Sequence, residues 1–282
     1  MSTDVLPRSE GAEPKRPPGG QFHAPPGRGP ARAAISPRTL RKDAWWANPL
    51  VTAVVLVGFT AYGIWAAFRD SNYWAKPYLS PFYSPCLTDR CAEHRTPHIF
   101  GDLWTFSPAI LILIFPLGFR LTCYYYRKAY YRSFWLSPPG CAIAEPHRSY
   151  SGESRFPLIL QNIHRYFFYF AVIFAALLTY DAVLAFDFPD GIGIGVGTGV
   201  LIVNAVAIWL YTLSCHSCRH LCGGGLKLLS KAPLRYRVWS RLSVLNRNHM
   251  RFAWASLLWI MVTDFYIWLV AAGHLTDYHW AG

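Results

Sequence analysis

The chain has 282 residues, of which 53% are hydrophobic, 17% aromatic and only 15% charged. Soluble domains carry roughly a quarter charged residues, so this composition excludes an ordinary cytosolic globule and leaves a membrane protein. The formal balance of +12 does not point to nucleic acid, because the basic residues fall in blocks between apolar runs instead of forming one patch.

Residues 1–43 read as a disordered cytoplasmic tail. Its first forty residues are rich in Pro, Gly and Arg and have almost no bulky apolar residue after Val5 and Leu6, too little to offset the entropy of ordering. No short apolar core with a small-residue cleavage site occurs there, so no removable signal peptide is expected. Residues 44–282 then read as one membrane domain. Five stretches, 47–68, 104–126, 162–186, 192–215 and 250–273, reach the roughly 20 residues that a helix needs to cross a hydrocarbon core of about 30 Å. The expected fold is all-α, an integral membrane bundle of five transmembrane helices.

The first stretch opens with Asn48-Pro49, suited to a first helical turn. The second holds Pro108 and Pro116, which predict a kink. The fourth begins Gly191-Ile-Gly-Ile-Gly-Val-Gly-Thr-Gly199. No strand is expected before it, so close helix packing through small residues is the preferred reading over a phosphate-binding loop. Lys and Arg number eight before residue 47, five in 127–156 and eight in 219–251, against four in 69–103. The bias puts the N-terminus in the cytoplasm and the C-terminus outside.

Cys86 and Cys91 lie in the predicted outer loop, where they form a disulfide or remain free or buried thiols; the spacing leaves this open. Cys123, Cys141, Cys215, Cys218 and Cys222 fall at or near the opposite face with His147, His164, His216, His220 and His249. An internal repeat selects among them. Phe119-Arg-Leu-Thr-Cys123-Tyr-Tyr-Tyr-Arg127 ends the second stretch and Tyr211-Thr-Leu-Ser-Cys215-His-Ser-Cys-Arg219 ends the fourth. The third begins Asn162-Ile-His164-Arg165 and the fifth Asn248-His249-Met-Arg251. Two antiparallel helix pairs thus each bring one Cys and one His to a similar depth, a Cys2His2 set.

That set suits one tetrahedral zinc or a Rieske-type [2Fe–2S] cluster. Ligands coming singly from four helices, instead of in close pairs on loops, favour the cluster, with both thiolates on the inner iron and both imidazoles on the outer. Arg120 and Arg165 are placed to offset thiolate charge. The competitors are Cys218, His216 and His220, and the bland alternative is small packed cysteines and solvated rim histidines. Toward the other face, Asp181 and Asp264 are carboxylates inside apolar helices, with Tyr180 and Tyr266 beside them. Intramembrane acids usually face a cavity, a partner or a proton path, so these four are candidates for contacting a quinone or supplying its protons. The alternatives are that the acids cap helix ends or pair with Arg69, Lys76 or Arg90, and that the quinone sits proximally, close to Arg120, Arg165 and the Tyr124–Tyr126 run. Pro77-Tyr-Leu-Ser-Pro-Phe-Tyr-Ser-Pro85 reads as a rigid, re-entrant lid.

The runs Lys76–Cys86, Phe115–Arg132, Gln161–Arg165 and Ser214–His220 resemble the single-chain membrane anchor of actinobacterial succinate dehydrogenase, respiratory complex II, over roughly residues 44–275. The resemblance implies a five-helix anchor in the bacterial plasma membrane that docks a flavoprotein and an iron–sulfur subunit on its cytoplasmic face and contacts lipid. It also implies reduction of quinone, menaquinone by expectation, with electrons from succinate. One branch of that family carries a membrane-embedded Rieske-type centre. Its ligands are assigned here to Cys123, His164, Cys215 and His249, because the repeat selects them. The chief rival is haem b held between His164 and His249; the four-His pattern for two haems is missing. A proton-coupled transporter using Asp181 and Asp264, and a tether without cofactor, complete the alternatives.

Overall fold

The computed structural model describes residues 41–85, 108–143 and 155–282. The predicted tail, apart from its last three residues, lies outside them, as do Cys86, Cys91 and His147. Helix α1 spans Ala47–Phe68, with Pro49 in its first turn, where its missing N–H costs nothing. Next come a two-residue ladder, β1 (Trp74–Ala75) with β2 (Tyr78–Leu79), then α2 (Pro108–Thr122) and α3 (Tyr124–Phe134). Helix α4 covers Arg155–Leu184. A hairpin of β3 (Asp187–Phe188) and β4 (Gly191–Gly195) leads to α5 (Val196–Leu213). Helices α6 (His216–Gly223), α7 (Pro233–Arg247) and α8 (His249–Ala271) follow, and β5 (His279–Ala281) closes the chain.

Among the described residues, four helical segments are long and apolar enough to cross a membrane: α1, residues 161–184 of α4, α5 and α8; the apolar part of α2, Ile112–Thr122, is shorter. Helix α8 packs on α5 and on α1, α5 on α4, α4 on α2, and α2 on α1, so the five close into a ring. Their outward faces stay apolar, as at Val54, Ile173 and Val206, which suits hydrocarbon rather than water.

Three sequence expectations change. The second and fourth stretches are not continuous helices through their cysteines. Each breaks there, with Cys123 (φ −63°, ψ 135°) and Cys215 (φ −61°, ψ 142°) extended and serving as the N-caps of α3 and α6. The glycine run is not helical from its start. Its Gly-Ile alternation has the period of a strand, and β4 pairs with β3 and, through Ile194 opposite Trp280, with β5. The small residues admit a tyrosine, not another helix: a Cβ on Gly197 would lie 2.5 Å from the Tyr78 ring. The fold is therefore mostly helical with a few short strands at one end.

The predicted lid is the best-buried segment of that end. Tyr78, Ser80 and Ser84 are at most 1% exposed, and Phe82 and Tyr83 are nearly so. It packs against α1, α2 and α8 through Leu79, Phe82 and Ala109.

Candidate metal centre and apolar groove

The two helix breaks create the candidate centre. Cys123 and Cys215 leave helical geometry and each is the N-cap of the helix that follows; Cys215 Sγ turns back over that helix and accepts from Ser217 N at 3.4 Å. Such N–H groups favour negative charge on sulfur. All four predicted ligands are buried: Cys123 and Cys215 at 1% exposure, His249 at 3% and His164 at 9%.

The pairing crosses between the hairpins. His164 Nε2 lies 3.2 Å from Cys215 Sγ, and His249 Nε2 lies 3.4 Å from Cys123 Sγ. Each hairpin thus contributes its imidazole to the other hairpin's thiol. Behind each imidazole the repeat supplies the same surroundings. Phe119 stacks on His164 (4.8 Å, 4°) and Tyr211 on His249 (5.1 Å, 12°). Thr122 Oγ1 meets His164 Nδ1 at 2.8 Å, and Ser214 Oγ meets His249 Nδ1 at 2.7 Å. The aromatic residue four before each Cys and the hydroxyl residue one before it were visible in the repeat, but their partners were not.

Among the described residues, no three His, Cys, Asp or Glu side chains converge on one point; the four approach as two Cys–His pairs. The donor set nevertheless fits a thiolate-and-imidazole centre. Both histidines turn Nε2 toward sulfur while Nδ1 is occupied. The Tyr211 hydroxyl, buried beside Cys123, completes no hydrogen bond among the described residues and is available to a sulfur acceptor. Of the competitors, Cys218 is 7% exposed and packs in the same apolar cluster as Cys123 and Cys215. His216 and His220 are exposed; His220 Nδ1 lies 3.2 Å from Arg165 Nη2, so exposed Arg165 turns away from the centre. Burial, and then Cys222 beside it, push the Cys218 thiol up to about 11.

Arg120 is buried at 7% exposure. Its Nη1 donates to Tyr126 Oη (2.7 Å), Ser256 Oγ (3.2 Å) and Ala253 O (3.4 Å), while its Nη2 and Nε donate to nothing among the described residues. Its guanidinium carbon lies 5.0 Å from the Tyr211 ring, one ring away from His249. Arg120 also lines an apolar groove of about 320 Å³ between α1, α2, α3 and α8, whose walls include Leu56, Phe59, Leu113, Pro116 and Ile260. Tyr126 and Tyr130 stand at the same end.

At the opposite end, the four predicted outer residues do not share one pocket. Asp264 is fully buried and takes two bonds from Arg69, Nη1 to Oδ2 at 2.9 Å and Nη2 to Oδ1 at 2.8 Å, with further bonds from Tyr62 and Ser80. The Arg69 alternative is thus the arrangement found. Tyr266 donates to Asp277, which also accepts from Tyr78 and from Gly197 N. Tyr180 is 44% exposed on the outer surface of the ring. Asp181 is 3% exposed beside Ser84, and its Oδ2 has no hydrogen-bond partner among the described residues.

A family model described as actinobacterial succinate dehydrogenase subunit SdhC matches residues 47–273. Among solved structures, a chain of the Mycobacterium smegmatis Sdh1 complex in the apo form is 53% identical and superposes with a TM-score of 0.80. That match covers 90% of this chain and 98% of the other. Among curated proteins nothing matches. The matched region takes in every membrane-length helix among the described residues; the chain belongs to the actinobacterial SdhC family and is a membrane subunit of a succinate dehydrogenase complex.

Proposed function

We propose that this subunit passes electrons from the soluble flavoprotein and iron–sulfur subunits, docked on the cytoplasmic face, to quinone. In this reading Cys123, Cys215, His164 and His249 hold a Rieske-type [2Fe–2S] cluster. When bound, the cluster supplies one-electron transfer at a potential raised by imidazole ligation relative to all-thiolate clusters. The observation that carries the reading is the crossed Cys–His pairing, with each Nε2 aimed at a buried sulfur. The two Nε2 atoms face different sulfurs, which favours the cluster over haem b held between His164 and His249. The sequence assigns both thiolates to one iron, whereas in the structure each sulfur lies closest to an imidazole.

The chain's own residues account for the rest. Buried Arg120 has no carboxylate partner among the described residues, so its charge serves the thiolates on one side and the groove on the other. A quinone ring at the inner end of the groove would meet the free Arg120 N–H groups, donors suited to negative charge developing on a carbonyl oxygen; the Tyr126 hydroxyl, which accepts from Arg120 Nη1 and gives its one proton to Ala253 O, holds the guanidinium in place. The apolar walls match an isoprenoid tail, and the volume lies within the ordinary range for ligand sites, about 300–1,000 Å³. This inner groove is favoured over Tyr180, Asp181, Asp264 and Tyr266, because Asp264 and Tyr266 are already bonded within the protein and Tyr180 faces outward. Asp181 remains the candidate for proton supply from the far side. The basic loops at the inner end support a cytoplasmic location for that end.

The test is electron paramagnetic resonance of the dithionite-reduced complex, with visible spectra to detect haem. A Rieske-type signal that disappears in the His164→Ala plus His249→Ala variant, while flavin content is unchanged, supports the assignment. Sharp haem bands, or a Rieske-type signal that survives both changes, would overturn it.

A further inference from the structure

We infer that Thr122 and Ser214 are positioning residues of the candidate centre, each fixing which nitrogen of its hairpin's histidine faces sulfur. This deepens the cluster reading above and rests on it.

The inference follows from counting hydrogens. Thr122 Oγ1 lies 2.7 Å from Gly118 O and 2.8 Å from His164 Nδ1. A hydroxyl has one proton, and a carbonyl only accepts. The proton therefore goes to Gly118 O, the oxygen turns its lone pairs to Nδ1, and Nδ1 carries the hydrogen. His164 Nε2 is then the unprotonated nitrogen, and it faces Cys215 Sγ at 3.2 Å. The second hairpin repeats the arrangement. Ser214 Oγ lies 3.0 Å from Tyr211 O and 2.7 Å from His249 Nδ1, and His249 Nε2 faces Cys123 Sγ at 3.4 Å.

The two hydroxyls are buried, Thr122 at 4% and Ser214 at 0% exposure, so water does not compete for Nδ1. The carbonyls they use belong to the helical turns just before the breaks at Cys123 and Cys215. Stacking by Phe119 and Tyr211 fixes the ring planes, while the hydroxyls fix the rotation within those planes. The hydroxyl residue immediately before each Cys in the repeat thus has a chemical role: it makes Nε2 the metal-facing nitrogen and strengthens it as a donor.

The test uses the intact complex carrying Thr122→Val, Ser214→Ala or Thr122→Ser. Cluster retention is followed during challenge with an iron chelator, together with the spectrum and midpoint potential of the cluster that remains, and flavin content reports assembly. Removal of such outer hydrogen bonds typically costs 10–100-fold in metal affinity. Thr122→Val and Ser214→Ala are expected to lose cluster by about that factor and to raise the midpoint potential of the remainder, while Thr122→Ser matches wild type. Thr122→Val and Ser214→Ala retaining wild-type cluster, spectrum and potential would overturn the inference and leave the ligand assignment standing. A wild-type complex without any cluster signal would defeat the ligand assignment and this inference with it. Should Thr122→Val fail to assemble, Ser214→Ala, which only removes atoms, decides the question. Nitrogen couplings from 15N-histidine that identify Nδ1 as the ligand nitrogen would also refute it.

Discussion

The Arg69–Asp264 pair gives a quantitative test of how the outer end of the bundle is held. The two side chains are 5% and 0% exposed, and the carboxylate receives both guanidinium bonds as well as two hydroxyls. Replacing Arg69 by Met leaves a buried carboxylate without its counter-charge, which costs about 3–5 kcal/mol. Replacing Asp264 by Leu leaves the guanidinium unpaired and also orphans Tyr62 and Ser80, at about 1–3 kcal/mol for each buried hydroxyl. The double variant removes both charges together, and a buried pair exchanged for apolar residues is often nearly neutral. Its loss should therefore fall well below the sum of the single losses, with a coupling of about 3 kcal/mol or more. At roughly 2–4 °C per kcal/mol for a chain of this size, Arg69→Met should melt about 6–20 °C lower, and Asp264→Leu, with the two hydroxyls added, lower still. Thermal unfolding of the detergent-solubilised complex, followed by tryptophan fluorescence, provides the measurement. Single losses under about 1 kcal/mol, or a strictly additive double variant, would refute the view that this pair locks lid, α1 and α8 together.

Gly118→Ala places a methyl 2.3–2.7 Å from the Phe167 ring; overpacking of this kind costs about 1–3 kcal/mol. The lowered melting temperature should recover in part when Phe167 is shortened to Leu. Leu113→Trp fills the apolar groove, so the KM for quinone should rise while succinate oxidation by an artificial soluble acceptor stays unchanged; an unaltered quinone KM places the quinone elsewhere. Alkylation of the isolated subunit at pH 8 should reach exposed Cys141 well before Cys218. With its thiol pushed up to about 11, Cys218 has only ~1 part in 1,000 as thiolate at that pH. Equal labelling by mass spectrometry would mean that Cys218 is more open than the structure gives.

The boundaries of α1 and the existence of α4 and α8 were legible because long apolar runs admit little else. The repeat was legible too, and the four residues it selects do come together as two pairs. The crossed pairing was not, since two hairpins meeting side by side and two that exchange partners share the same spacing. The helix breaks were hidden by chemistry: cysteine is not a common N-cap, and both breaks lie inside runs that read as uninterrupted hydrocarbon-length segments. Strand β4 was masked by the same apolar run, although its Gly-Ile alternation carried the period of a strand. Arg69 was one of three candidate partners for Asp264, and only the folded lid, which brings Ser80 onto the same carboxylate, decides among them. Arg120 was legible both as a neighbour of the thiolates and as part of the proximal quinone alternative; the walls of the groove it lines depend on α1 and α8, far away in sequence.

The exchange of partners between the hairpins has a consequence for how the protein is made. Cys123 finds its imidazole 126 residues downstream, at the start of the last membrane-length helix. A nascent chain that has threaded only its first hairpin into the bilayer carries a thiol and an imidazole that wait for mates not yet translated. If the four residues hold a cluster as proposed, its loading follows insertion of the final span, and a polypeptide truncated before His249 would not acquire it.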